Sequence, residues 1–238
     1  MRMLIFVMLF SVSSITPAPA GEATGKNDPT AETPQSKEEA KRKWTVLFNG
    51  KDMKGWKLPK GFDYDDAGKV EVKDGTLVLN GGLYATGIRW AGKFPKMNYE
   101  VRFSAQRVDG YDFFAGTSFP VGDGALTLIL GGWGGYVTGL SSIDGYRADE
   151  NETCSCMEFK NKKWYPVRIR VTEDKVVAYV GDEKICDFET ENRKLTVTAE
   201  MEPCLPFGVA TWGGTTGALR NIRYRKLTQE ELNRSKEE

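Results

Sequence analysis

From Trp44 to Leu227 the chain sustains no 3.6-residue periodicity, while apolar residues return at every second position in one run after another. In Asn98–Gln106, the residues Tyr99, Val101, Phe103 and Ala105 fall on one face. In Trp164–Val171, the set Tyr165, Val167, Ile169 and Val171 opposes Trp164, Pro166, Arg168 and Arg170. Arg220–Arg225 sets Ile222 and Tyr224 between polar neighbours. Successive side chains of an extended strand point to opposite sides, so each run is a strand with one buried face and one wet face. The separators carry turn chemistry: Lys73-Asp74-Gly75, Val108-Asp109-Gly110, Glu173-Asp174-Lys175 and Gly181-Asp182-Glu183. The segment 167–180, with a polar centre at Thr172 to Lys175, reads as a hairpin. Short strands without intervening helices predict an all-β chain built as an antiparallel two-sheet sandwich or jelly roll. No internal repeat of fixed period is present, which argues against a propeller.

The two ends have other characters. Arg2 followed by the apolar run Met3–Phe10 and then Ala18-Pro19-Ala20 has the layout of a secretory signal, with cleavage expected after Ala20. That run is about half of the ~20 residues a spanning helix needs. The expectation is an exported protein, periplasmic or extracellular, with no membrane span after cleavage. Gly21 to Ser36 has almost no large apolar residue and reads as a flexible leader. Ser36-Lys37-Glu38-Glu39 has the capping-box pattern of a short helix, and Thr228-Gln229-Glu230-Glu231 repeats it near the other end. The expected organisation is a signal peptide at 1–20, a leader with a short helix at 21–43, one β domain at 44–227 and a charged tail at 228–238.

Composition narrows the chemistry. The chain holds no histidine, so Ser–His–acid and Cys–His catalysis lose their base, and histidine metal sites are excluded. Thirty-three basic residues balance 33 acidic ones, so the chain is not built to neutralise many phosphates and nucleic acid is not an expected partner.

A run of motifs resembles a known family. Leu47-Phe48-Asn49-Gly50-Lys51-Asp52, followed by Gly55-Trp56, is similar to the opening of the 3-keto-disaccharide hydrolase domain. Val70-Glu71-Val72-Lys73-Asp74-Gly75-Thr76-Leu77, Leu83-Tyr84-Ala85-Thr86, Tyr99-Glu100-Val101-Arg102-Phe103 and Leu219–Leu227 resemble later steps of the same family. The resemblance covers roughly residues 44–227. It implies a concanavalin A-like jelly roll of two antiparallel sheets, a carbohydrate ligand or substrate, and cleavage of the glycosidic bond of an oxidised, 3-keto sugar. The chain departs from the family at two places. Phe113–Phe119 stands where a Gly-Asn-Ser-Gly-Ile is usual. Gly139-Leu140-Ser141-Ser142-Ile143-Asp144 keeps only the final residue of Glu-x-Gln-x-x-Asp. A non-catalytic glycan-binding or surface interaction module on the same fold is therefore the alternative reading.

The candidate site lies in the glycine-rich stretch Gly110–Thr153 and the similar turn after Trp212. Gly131-Gly132-Trp133-Gly134-Gly135 and Trp212-Gly213-Gly214 each set one indole where neighbouring side chains vanish, as a sugar platform requires. Carboxylates are the strong acid–base groups available, and the Glu-x-Asp-x-x-Glu spacing of jelly-roll laminarinases is absent. Asp112, Asp123 and Asp144 are the catalytic candidates. Trp133, Trp212, Tyr136, Arg89, Arg147 and Glu152 are the substrate-binding ones. A 3-keto group acidifies the neighbouring C–H, so a base and an oxyanion stabiliser would suffice. The oxygen-rich segment 144–153 lacks the order of a dedicated calcium loop, and no metal or other cofactor is assigned. Asn151-Glu152-Thr153 is a glycosylation sequon. Of the four cysteines, Cys154 or Cys156 is expected to bridge to Cys186 or Cys204.

Overall fold

A computed structural model describes residues 43–235; the segments expected to be a signal peptide (1–20) and a leader with a short helix (21–43) fall, but for residue 43, outside the described residues. The chain forms two antiparallel sheets. The eight-stranded sheet runs in the order β13 (Glu183–Glu189), β12 (Lys175–Val180), β11 (Trp164–Val171), β6 (Tyr99–Asp109), β15 (Thr216–Lys226), β4 (Thr76–Leu79) and β3 (Val70–Lys73), with β1 (Thr45–Val46) also pairing β15. The seven-stranded sheet runs β10 (Ser155–Cys156), β9 (Val137–Ser141), β8 (Gly124–Gly132), β7 (Gly116–Val121), β14 (Gly208–Trp212), β5 (Ala85–Trp90) and β2 (Trp56–Lys57). The alternation read in the sequence sets the register. Val101, Phe103 and Ala105 pair with Ile169, Val167 and Tyr165, and the hairpin at 167–180 forms as β11–β12.

The main core lies between the sheets. Leu126, Leu128 and Leu130 of β8 and Leu140 of β9 face Val101, Phe103, Val167 and Ile169 from the other sheet. Removing these apolar side chains from water is the main stabilising term of such a sandwich. A second, smaller cluster lies on the outer face of the seven-stranded sheet. There Ala85, Ile129 and Ala210 carry Tyr64, Phe113, Met201 and Cys204 on top of them. Glycine is used here to let the protein cover its own sheet: a Cβ on Gly116 would lie 2.9 Å from the Phe113 ring, and one on Gly87 would lie 3.0 Å from Tyr64. The covering layer includes a 3₁₀ turn, Ala199–Cys204, inserted between β13 and β14.

Beyond β15 the second capping box closes as its sequence implies. The Glu231 N–H donates to Thr228 Oγ1 (3.3 Å), and the Thr228 N–H donates to Glu231 Oε2 (3.0 Å), opening helix α1 (Gln229–Ser235). The same glutamate grips Arg225 with two hydrogen bonds of 2.7 and 2.8 Å, and Arg225 also reaches Glu100 at 3.3 Å. Arg225, Glu100 and Glu231 are 3%, 2% and 8% exposed, so this ion triad is buried.

The cysteine bridge is corrected: all four cysteines are free. They occupy three separate places. Cys154 and Cys156 are exposed at the outermost strand, Cys186 faces the inter-sheet core beside Ala178, and Cys204 lies beneath the 3₁₀ turn. Burial pushes the thiol pKa of Cys186 and of Cys204 up to about 12.

Candidate functional site

A pocket of about 220 Å³ opens on the outer face of the seven-stranded sheet, above the second cluster. Five separate segments build it. Asp112 and Phe113 come from the β6–β7 loop, Trp133 from the β8–β9 turn, and Arg147 from the loop after β9. Thr198, Glu200 and Met201 come from the start of the 3₁₀ turn, and Trp212 from the end of β14. Ile129 and Ser141 complete the floor.

Asp112 sits between the two Trp-Gly-Gly turns. Its Oδ1 lies 3.9 Å from where a Gly132 Cβ would project, and its Cβ the same distance from that of Gly213. Oδ1 accepts the Phe113 N–H at 2.7 Å, and the Asp112 N–H donates to Thr215 Oγ1 at 3.0 Å, so backbone and carboxylate are both aimed. Phe113 and Trp212 stack at 6.2 Å beneath it. Trp133 is 39% exposed at the rim, with φ of 49°. A left-handed backbone at a bulky residue costs about 1–3 kcal/mol and persists where the surroundings impose it. Here the surroundings are four flanking glycines and, below the turn, the buried Arg107, which is held by Asn161 Oδ1 (2.6 Å) and the Phe159 carbonyl.

Arg147 lies over the Trp133 ring at 5.5 Å. Asp149 at 3.3 Å and Glu150 at 3.5 Å hold its guanidinium from the outside. Its loop is clasped by Asn151, whose side-chain amide donates to the carbonyls of Leu140 (2.8 Å), Arg147 (2.7 Å) and Tyr146 (3.3 Å). Thr153 Oγ1 donates to Asn151 Oδ1 at 2.7 Å, so the sequon residues form the hinge pin of this loop. Neither the Asp112 nor the Glu200 carboxylate forms an ion pair among the described residues.

Four of the residues singled out in the sequence therefore converge: Asp112, Trp133, Arg147 and Trp212. The others lie elsewhere. Asp144 and Glu152 both turn onto Arg193, each at 2.6 Å, and Asp144 also accepts the Lys194 N–H at 2.7 Å. The Lys194 N–H and then Arg193 hold the Asp144 pKa below its ordinary value, and Arg193 does the same for Glu152. Asp123 pairs with Lys96 at the opposite end of the β7–β8 hairpin. Tyr136 is exposed on the β8–β9 turn, and Arg89 lies on β5; neither lines the pocket. Glu200 was not legible as a site residue, because Thr198-Ala199-Glu200-Met201-Glu202-Pro203 has no period and no motif. The one available signal was the proline-broken interruption between two clear strands. No group of three or more Cys, Asp or Glu side chains is placed to hold a metal among the described residues.

A family model described as a 3-keto-alpha-glucoside-1,2-lyase-like domain matches residues 43–228. No curated protein matches the sequence. Solved structures share the architecture at low identity. A laminarinase from Flavobacterium sp. UMI-01 is 16% identical with a TM-score of 0.52, over 77% of this chain and 99% of that one. The Crh5 transglycosylase in complex with NAG is 10% identical with a TM-score of 0.52, over 78% and 84%. A structure reported with the endo-acting O-glycanases of the human gut microbiota that initiate mucin breakdown is 15% identical with a TM-score of 0.53, over 77% and 100%. At such identities the likeness is one of fold: two antiparallel sheets in a jelly roll of the glycosidase type.

Proposed function

The chain belongs to the 3-keto-alpha-glucoside-1,2-lyase-like family, and on that premise we propose that its pocket cleaves the glycosidic bond of a 3-keto-glucoside by elimination. Family and fold together support a carbohydrate-active function. One observation carries the finer reading: an aimed carboxylate, Asp112, stands without a cation between two indole walls, with a guanidinium and a second carboxylate on the same pocket.

The chemistry follows from that arrangement. The ketone at C3 acidifies the proton on C2, and Asp112 takes that proton. The electron pair moves toward the ketone and leaves negative charge on the C3 oxygen, which Arg147 offsets. The pair then returns to form a C1–C2 double bond as the C1–oxygen bond breaks. Glu200 gives a proton to the departing oxygen. Water added across the double bond completes a net hydrolysis. Trp133 and Trp212 offer flat apolar faces to the C–H sides of the sugar. No histidine is needed at any step, in keeping with a chain that has none.

A second reading, glycan binding without cleavage, is favoured by one feature: Asp149 and Glu150 already engage Arg147 and weaken its pull on an oxyanion. The test is an assay of the protein on a 3-keto-glucoside beside the unoxidised glucoside. Release of aglycone from the keto sugar alone, lost in Asp112→Asn and Glu200→Gln, supports elimination. Binding with no release, unchanged in both variants, supports the second reading. Export belongs to the same proposal, on the strength of Arg2, the Met3–Phe10 run and Ala18-Pro19-Ala20. N-terminal sequencing of secreted material should begin at Gly21.

A further inference from the structure

The outer face of the eight-stranded sheet, on the far side of the sandwich from the pocket, carries an unusual concentration of arginine. Register places Arg223 of β15, Arg102 of β6 and Arg168 of β11 directly opposite one another in one row across three adjacent strands. Strands lie about 4.8 Å apart, so the row spans about 10 Å. Like charges set opposite in this way oppose folding. Arg220 and Arg170 flank the row on the same strands.

The local acids do not balance it. Glu100 takes Arg102 (2.6 Å) and Arg225 (3.3 Å), and Asp187 takes Lys184 (2.6 Å) and Lys175 (3.7 Å). Arg168, Arg170, Arg220 and Arg223 meet no carboxylate among the described residues. Three of them lie on rings instead: Arg168 on Tyr179 at 3.8 Å, Arg220 on Trp164 at 4.1 Å and Arg223 on Trp44 at 4.5 Å. A ring holds a guanidinium flat and leaves its charge uncancelled, with its donor edge free for an oxyanion. Arg170 Nε is buried without a hydrogen-bond partner beside a cleft of about 30 Å³ shared with Lys175 and Lys184.

We propose that this face is a docking surface for an acidic polysaccharide, a chain of sugars bearing carboxylate or sulfate groups. The row and its flanks present several guanidinium groups on one face of three adjacent strands, which suits repeated oxyanions on an extended polymer. Three aromatic rings of the face are already covered by arginine, so they offer no stacking platform to unpaired bases. The same covering removes the apolar anchors a lipid surface would use. The surface stands apart from the catalytic reading and survives if that reading fails.

The test uses the full chain and fluorescence anisotropy with labelled oligogalacturonate for the carboxylate arm and a labelled heparin oligosaccharide for the sulfate arm. Labelled dextran is the neutral control. The proposal expects binding to at least one acidic probe, none to dextran, and a steep fall in affinity with added salt. The combined variant Arg168→Ala, Arg220→Ala, Arg223→Ala should lose about tenfold or more in affinity while keeping its circular dichroism spectrum and, with like charges removed, its thermal midpoint. If that variant misfolds, the exposed single change Arg220→Glu should still weaken binding severalfold. Absence of binding to both acidic probes at low salt overturns the proposal. Wild-type affinity in the folded variants does the same, as does equal or tighter binding to single-stranded DNA or phosphatidylserine vesicles.

Discussion

Two of the places where arginine meets carboxylate in this molecule end with opposite results. At the end of β15 the triad of Glu100, Arg225 and Glu231 is closed: Arg225 is held by both acids, and the capping box of α1 uses what remains of Glu231. In the pocket, Arg147 is engaged by Asp149 and Glu150, and Asp112 and Glu200 line the cavity without an ion pair among the described residues. The first arrangement consumes its charges to fix a helix. The second leaves charge available to something that enters. The lesson is that an acidic residue gains chemical meaning from what its neighbours are already committed to.

The contrast can be broken from either side. The largest effect is expected in the open cluster. Asp112→Asn should lower turnover of a 3-keto-glucoside by about 10²–10⁴-fold, the usual worth of a positioned base, with an unchanged thermal midpoint. In the closed cluster, Arg225→Ala takes the shared guanidinium from two buried carboxylates, leaving Glu100 to Arg102 alone, and should cost about 3–5 kcal/mol of stability in denaturant unfolding, with activity retained where the variant stays folded. An activity loss in the second variant equal to that in the first would erase the distinction.

Fold and site were unequally legible in the sequence. Period-two alternation is imposed by burial on one face, so Tyr99–Ala105 and Tyr165–Val171 announced their strands and buried faces, while their pairing with each other emerged only in the sheet. The Thr228–Glu231 box announced its helix because capping is a local contact. The site is non-local. Asp112 and Glu200 belong to segments far apart in the chain, and only the sheet order brings them together. Asp144 stood beside Asp112 as a catalytic candidate and Glu152 as a binding one, because nothing in their neighbourhood reveals that Arg193 will reach both. The Trp-Gly-Gly turns were legible because glycine beside an indole, on both sides of Trp133 and after Trp212, excludes competing side chains.

Smaller effects sharpen the comparison. Trp212→Ala should weaken sugar binding by up to about tenfold, the worth of one aromatic contact, as read by titration calorimetry. Asp144 and Glu152 form a third, exposed cluster that titrates in a known direction. Both folded pKa values are depressed, so the stability they add is full above their ordinary values of about 4 and fades as pH falls through the lower folded ones. Arg193→Ala should raise both carboxylate pKa values in an NMR titration and move the acid limb of unfolding to higher pH. The smallest signal is chemical. Cys154 and Cys156 should react with a thiol reagent in the native protein, and Cys186 and Cys204 only after unfolding.

The position of β15 governs how the molecule comes into being. It is the last strand of the chain, yet it lies inside the eight-stranded sheet between β6 and β4 and also pairs the first strand, β1. Until residues 216–226 leave the ribosome, β6 and β4 each keep an open edge and β1 has no partner. The eight-stranded sheet can therefore close only after residues 216–226 are available, and its assembly is a slow, long-range event. A chain stalled or truncated before β15 would present two unpaired strand edges to its neighbours, the state most open to intermolecular sheet formation.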